Sequence, residues 1–333
     1  MRQLFQHIAR ELPRQPLVLV TVVAASGATP RGMGARMLVS AEGRLCGTIG
    51  GGAVEYRALE TAQRVLTEAA SVCRDFALHK DDVQNLGMIC GGEVQVFFHY
   101  LPMGDHHTLQ LTERIEAAYA QSKDLWLLSD LGSDGTLGIY TPADGICGLD
   151  WADFKPSRHP VRWKEGGRDL YAEQIATSGK VYVFGCGHVA QELVPLLSHV
   201  GFRCIALDDR PEFADPALFP TAEQVLPIDF ERIADTVTVG AEDYVCVMTR
   251  GHAYDTAVQA QLLNTPACYI GVIGSIHKRA GVFRILHGMG FTEDDTNRII
   301  TPIGLDIGGE TPAEIAVSIA AQMIRHRADR SGQ

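Results

Sequence analysis

Cationic charge is scarce in this 333-residue chain: 29 lysines and arginines stand against 40 aspartates and glutamates, a formal net charge of -11. That balance opposes binding to a polyanionic backbone or an anionic bilayer, so neither nucleic acid nor a membrane is expected as a partner. Long apolar runs are lacking too. The longest strongly apolar stretch, Pro16 to Ala25, is about half of the ~20 residues that a membrane-spanning helix needs. The first residues, MRQLFQHIARELPRQ, have no signal-peptide core, which makes the cytoplasm the expected location. Closely spaced cysteines are also missing. The eight, at 46, 73, 90, 147, 186, 204, 246 and 268, are never nearer than seventeen residues, which excludes a CxxC motif and zinc-ligand spacing, so no structural metal site is expected. Cys204 in RCIALDD and Cys246 in YVCVMT read as small buried hydrophobes.

What is present fits a folded protein: 46% hydrophobic and 21% charged residues, in a length that favours two domains. Residues 180–333 alternate strand and helix. Lys180 to Phe184 is a short β-branched and aromatic run, and Val189, Leu193, Leu196, Leu197 and Val200 then recur at helical spacing. A second strand, 203–209, follows Gly201, and further apolar runs at 244–249 and 268–273 are each trailed by a helix-like segment, the pattern of parallel strands covered on both faces. This predicts a Rossmann-like doubly wound parallel sheet. A final helix is marked by Thr311 as N-cap, Pro312, and Glu314 completing a capping box.

Residues 1–145 read as a smaller α+β domain, with strands at 17–25, 72–78 and 93–100, a hairpin around residues 41–44 and a helix over 53–70. Residues 146–179 carry proline, basic residues and scattered tryptophan without a sustained period, and are expected to be a linker.

Several constellations suggest chemistry. Gly185-Cys186-Gly187-His188-Val189-Ala190 is a G-x-G-x-x-A directly after a strand, which suits a pyrophosphate at the helix start. Asp208 and Asp209 end the next strand, where a ribose hydroxyl would be bound. Ser275, Lys278 and Arg279 resemble a phosphate cradle, and Arg250 and His252 follow another strand. In the first half, Arg31 and Arg36 sit among glycines in SGATPRGMGAR. GRLCGTIGGG carries Gly50, Gly51 and Gly52 ahead of Glu55, which would cap the helix or accept a ligand hydrogen bond. Cys90 in GMICGG has an approachable sulfur whose pKa neighbouring amides would lower. On these residues alone, an NAD(P)-dependent oxidoreductase using His188 or His252 as acid/base, or another nucleotide-dependent enzyme, stands open.

Taken together, SGATPRGMGARMLV, GTIGGGAVE, GMICGG, VYVFGCGHVAQELVPLLSHVGF, DDRPEFA, TRGHAYD, YIGVIGSIHKRA and TPIGLDIGGETPAEIAVSIAAQ resemble, over almost the whole chain, the XdhC/CoxI family of accessory proteins for molybdenum hydroxylases. The resemblance implies a homodimeric chaperone rather than a turnover enzyme. Such a chaperone binds the molybdenum cofactor, as molybdopterin or its dinucleotide form, supports its sulfuration with a cysteine desulfurase, and delivers it to an apo-hydroxylase of the xanthine dehydrogenase type. It also implies that Cys90 is the metal-facing or sulfur-handling thiol and that the loops at 26–36 and 47–55 belong to the cofactor site.

Overall fold

The structure, a computed structural model, describes residues 1–77, 92–121, 123–132, 134–165, 167–250 and 252–331. The chain divides into two compact units, Met1–Thr177 and Ser178–Gln333.

The first unit runs α1 (Arg2–Glu11), β1 (Leu17–Ser26), β2 (Arg36–Ser40), β3 (Gly43–Thr48), α2 (Gly52–Glu68), β4 (Val72–Ala77), β5 (Glu93–Leu101), α3 (His106–Ala120), β6 (Leu125–Asp130), β7 (Thr136–Thr141), β8 (Gly145–Cys147), β9 (Val161–Glu165) and β10 (Arg168–Ala176). Its strands form two five-stranded antiparallel sheets, ordered β3-β2-β1-β5-β4 and β8-β7-β6-β10-β9. β1 is apolar on both faces because both are covered. Leu17 and Leu19 join Leu4 and Ile8 of α1 and Ile115 of α3, whereas Val18, Val20 and Val22 meet Ala58, Ala62 and Val65 of α2. The same alternation sorts β6: Leu125 and Leu127 belong to the α1/α3 core, and Trp126 and Leu128 face an aromatic cluster built on Trp151.

Residues 146–179 are not a linker. Nearly half of them are strands of the second sheet, with β10 between β6 and β9 and with Tyr171 and Ala172 fully buried. The scattered tryptophans are core: Trp151 packs 5.0 Å from Phe154 and 5.9 Å from Trp163, ring to ring. Short strands separated by an irregular loop gave no sustained period, and the boundary falls instead at Thr177/Ser178.

A buried ion pair joins the two sheets. Arg36 of β2 pairs with Glu173 of β10, the side chains being 1% and 7% exposed. Arg36 also donates to the Thr21 hydroxyl at 3.1 Å, and the Tyr171 hydroxyl donates to Glu173 Oε2 at 2.9 Å. Burial pulls the guanidinium down to about 10, still cationic at neutral pH.

The second unit runs β11 (Val181–Phe184), α4 (His188–His199), β12 (Cys204–Asp208), β13 (Gln224–Pro227), β14 (Tyr244–Val247), α5 (His252–Leu263), β15 (Tyr269–Val272), α6 (Ile276–Gly288), α7 (Glu293–Asn297), β16 (Ile299–Ile300) and α8 (Pro312–Ser331). Its six strands are all parallel, in the order β13-β12-β11-β14-β15-β16, the doubly wound arrangement expected from the alternating runs. Val183, Cys204 and Cys246 pack on α4 and α8 through Leu193, Leu197, Ile319 and Met323; Phe184, Leu207 and Val245 pack on α5 through Val258 and Leu262. Thr311 and Glu314 form the capping box of α8, the Thr311 amide donating to Glu314 Oε2 at 2.9 Å and the Glu314 amide to Thr311 Oγ1 at 3.3 Å. Among the described residues no helix is long and apolar enough to cross a membrane.

Glu173→Gln leaves a buried guanidinium without its countercharge and is expected to destabilise the first unit by about 3–5 kcal/mol. All three tryptophans lie in that unit, so urea unfolding followed by tryptophan fluorescence reads the loss directly.

Candidate functional site

One end of the first sheet gathers the glycine-rich segments. Ser26 at the end of β1 pairs with Glu93 at the start of β5, Arg36 at the start of β2 pairs with Thr48 at the end of β3, and Ala77 at the end of β4 also pairs with Glu93. The antiparallel order therefore delivers loop 27–35, loop 49–51 and both ends of segment 78–91 to the same edge. Cys90 lies in that segment, outside the described residues, but its anchor Gly92 is seated: a Cβ there would lie 2.6 Å from the carbonyl oxygens of both Ser26 and Ala28. A Cβ at Gly50 would stand 2.7 Å from Pro30 Cβ, so the two loops touch. Gly50, Gly51 and Gly52 adopt φ of 130°, 73° and 60°, angles that L side chains rarely accept.

Glu55 organises this turn. Its Oε2 accepts from the amides of Ile49 and Gly51 at 3.1 and 3.2 Å and from the Thr48 hydroxyl, and its Oε1 pairs with Arg44. Burial opposes ionisation, yet the bonds from Thr48, Gly51 and Ile49 and the charge of Arg44 prevail and hold the carboxyl below the usual glutamate range. Of the two roles expected of Glu55, it takes the one at the helix start and both its oxygens are engaged within its own loop, which corrects its assignment to a ligand. The assignment of Arg36 is corrected too: it faces inward to Glu173, shielded from any ligand. Arg31 is exposed, and nothing would meet a Cβ at Gly32 or Gly51 within 4 Å.

The second unit places its loops at the carboxyl edge of the sheet, around the switch between β11 and β14. Gly185 (φ 105°) lets β11 leave against β14; a Cβ there would lie 2.3 Å from the Met248 carbonyl oxygen. Gly187 caps α4 with no side-chain bond, and nothing would meet its Cβ within 4 Å, so the helix start is approachable. His188 beside it is exposed.

Asp208 is 1% exposed and engaged: Oδ2 accepts from the Cys186 amide at 2.8 Å and Oδ1 from the Arg210 Nε at 2.9 Å. Although burial works against the charge, those hydrogen bonds depress its pKa. This corrects its assignment as a ribose acceptor, because Arg210, stacked 3.6 Å over Phe213, already donates to both of its oxygens. Asp209 is raised by burial, and its Oδ2 accepts from Arg250 at 2.8 Å.

Ser275, the N-cap of α6, is exposed and makes no capping bond. It lines a shallow cleft with Arg279, Asp255 and Thr301. Lys278 and His252 begin α6 and α5 by backbone, their side chains lying outside what is described. Sequence reasoning missed Arg44 and Arg210, each close in sequence to the carboxylate it holds. That proximity is the signal that finds them.

Two glycine-loop units, the second a doubly wound sheet with an open helix start, define a two-unit α/β protein whose second half is of the Rossmann class. Two family models match the chain in order: the XdhC and CoxI family over residues 12–77 and the XdhC Rossmann domain over residues 181–323. The chain belongs to the XdhC and CoxI family. It is 24% identical over 329 residues to a probable xanthine dehydrogenase subunit of Bacillus subtilis, covering 94% of each chain. It is 22% identical to the molybdenum cofactor insertion chaperone PaoD of Escherichia coli, covering 92% of this chain and 82% of that one. A crystal structure described as a xanthine dehydrogenase from Bacillus halodurans shares the fold, with a TM-score of 0.80 at 24% identity over 99% of this chain and 96% of that one.

Gly185→Ala and Gly187→Ala separate packing from access. The first is expected to destabilise the second unit by about 1–3 kcal/mol through its strained φ and its clash. The second is expected to lose less than about 1 kcal/mol. Circular dichroism melting of both variants tests the contrast. Glu55, with a folded pKa below its unfolded value, contributes stability that is present above the unfolded pKa and lost as pH falls through the folded one. Acid titration of the first unit's unfolding midpoint should show a shallower fall for Glu55→Gln than for the native chain.

Proposed function

We propose that the chain is a maturation factor for a molybdenum hydroxylase of the xanthine dehydrogenase type, which takes up the molybdenum cofactor as cargo, supports its sulfuration and hands it to the apo-enzyme. The observation that carries this reading is the convergence of loops 27–35 and 49–51 with the anchors of segment 78–91 at one sheet edge. The names of the PaoD and Bacillus subtilis relatives point the same way. The residues fit such a cargo. Open backbone at Gly32 and Gly51 admits close approach, and Arg31 supplies a cation for a phosphate. Cys90, two residues before the seated Gly92 in sequence, supplies the soft sulfur that a thiophilic metal centre favours. The cargo brings the metal and its dithiolene sulfurs; the protein's part is to hold, orient and release it.

In the second unit Gly187, His188, Ser275 and Arg279 offer groups for the nucleotide of a dinucleotide form. A cysteine desulfurase is the sulfur source in this reading, the working form is a homodimer, and the setting is the cytoplasm. For the NAD(P)-dependent alternative, Asp208 is occupied by Arg210 and Asp209 Oδ2 by Arg250.

The test is to co-express the chain with cofactor biosynthesis, purify it without oxygen, and measure molybdenum by mass spectrometry and pterin by fluorescence after oxidation. Near-stoichiometric metal and pterin are expected. Absence of both, under conditions that load a known carrier, overturns the proposal. Cys90→Ala should keep the native melting behaviour and lower client activation about tenfold or more; equal activation removes Cys90 from the mechanism.

A further inference from the structure

Among the described residues Tyr56 is the one phenylalanine, tyrosine or tryptophan that is exposed; the others are buried or half-buried. It is 61% exposed, and its ring and hydroxyl have no partner among the described residues. Packing does not call for it. α2 lies on the first sheet through Val54, Ala58, Ala62 and Val65, and at about 100° per residue Tyr56 stands roughly 160° around the helix from both Val54 and Ala58. The ring therefore belongs to the solvent face.

Its place along α2 is what distinguishes it from a stray surface residue. It follows Glu55, whose carboxylate draws the amides of Ile49 and Gly51 to the first turn of this helix. Side chains on a helix lean toward its amino end and cover the turn before their own Cα, and the position one turn before Tyr56 on the same face is Gly52. Gly52 is exposed and has no side chain, and a Cβ at Gly51 would meet nothing within 4 Å. An aromatic face thus stands beside bare glycine backbone that no side chain fills. Loop 27–35 touches this turn through Pro30 against Gly50, and the exposed Arg31 follows Pro30.

We propose that Tyr56 is the stacking platform for the planar pterin ring of the cargo, with the backbone at Gly51 and Gly52 admitting the ring edge and Arg31 left for the phosphate. A flat heteroaromatic ring is the chemistry that an unpartnered aromatic face recognises, and such stacking is worth about tenfold or more in affinity. The inference rests on the proposed function and adds to it the group that holds the cargo's ring.

The full chain is purified without oxygen from cells that make the cofactor, in its native form and as Tyr56→Phe and Tyr56→Ala. Pterin retained through dialysis is read by fluorescence after oxidation. Tyr56→Ala is expected to release pterin about tenfold faster than the native chain, and Tyr56→Phe, which restores the ring, to hold it. Acetylation of Tyr56 by N-acetylimidazole, followed by peptide mass spectrometry, gives a second arm that uses the native chain alone. Loading with cargo is expected to slow that reaction about fivefold, whereas molybdate or inorganic phosphate leaves it as fast as in the empty chain. Equal release by Tyr56→Ala and the native chain, release by Tyr56→Phe as fast as by Tyr56→Ala, or equal acetylation of loaded and empty chain overturns the inference and leaves the proposed function standing. A native chain that carries no pterin overturns both. Should Tyr56→Ala melt below the native chain, the acetylation arm decides.

Discussion

A run of glycines with positive φ has no shape of its own, and in this chain the shape comes from carboxylates turned inward. Glu55 gathers the amides of Ile49 and Gly51 at the start of α2. Asp208 receives the Cys186 amide beside the opening of α4, and Asp255 takes both the amide and the hydroxyl of Thr249 beside α5. Each is an internal anion at the amino end of a helix, where dipole and free amides favour one. The loops are thus held before any ligand arrives, and a visiting anion must use the groups these carboxylates leave over: Arg31, the Gly187 turn, and Ser275 with Arg279.

That arrangement explains which parts of the molecule were legible in the sequence. Continuous apolar runs and the G-x-G-x-x-A turn report burial on both faces and a tight strand exit, and both depend on neighbours within a few residues. The capping box of α8 is local as well. The partners of Arg36 and Asp208 are another matter. Arg36 among glycines looks the same whether it meets a phosphate or a glutamate 137 positions away on another sheet, and only the pairing of β10 with β6 brings Glu173 to it. The second sheet was hidden for a related reason: its aromatic face is assembled from Trp126, Trp151 and Trp163, too far apart to make a period.

The two units use opposite geometries to the same end. In the first, antiparallel pairing turns the chain back so that β1, β2, β3, β4 and β5 present their loops at one edge; in the second, parallel strands all point their carboxyl ends the same way. Both concentrate irregular backbone at one rim and leave the rest of the sheet for packing. An open cleft lined by Ala69, His99, His107 and Gly135 is the exception, lying where helix ends and strand ends meet on the opposite rim.

The pairing of β11 with β14 has a consequence for how the chain acquires its structure. Val181 hydrogen-bonds alongside Tyr244, so the central ladder of the second unit waits until that distant strand has been made. The first unit closes its opening hairpin between Ser40 and Gly43 and meets the rest of its partners before residue 177. During synthesis from the N-terminus, the first unit has the whole of its sequence available while the centre of the second is still incomplete. Transient exposure of bare parallel strand edges is therefore confined to the second unit, which is made after the first.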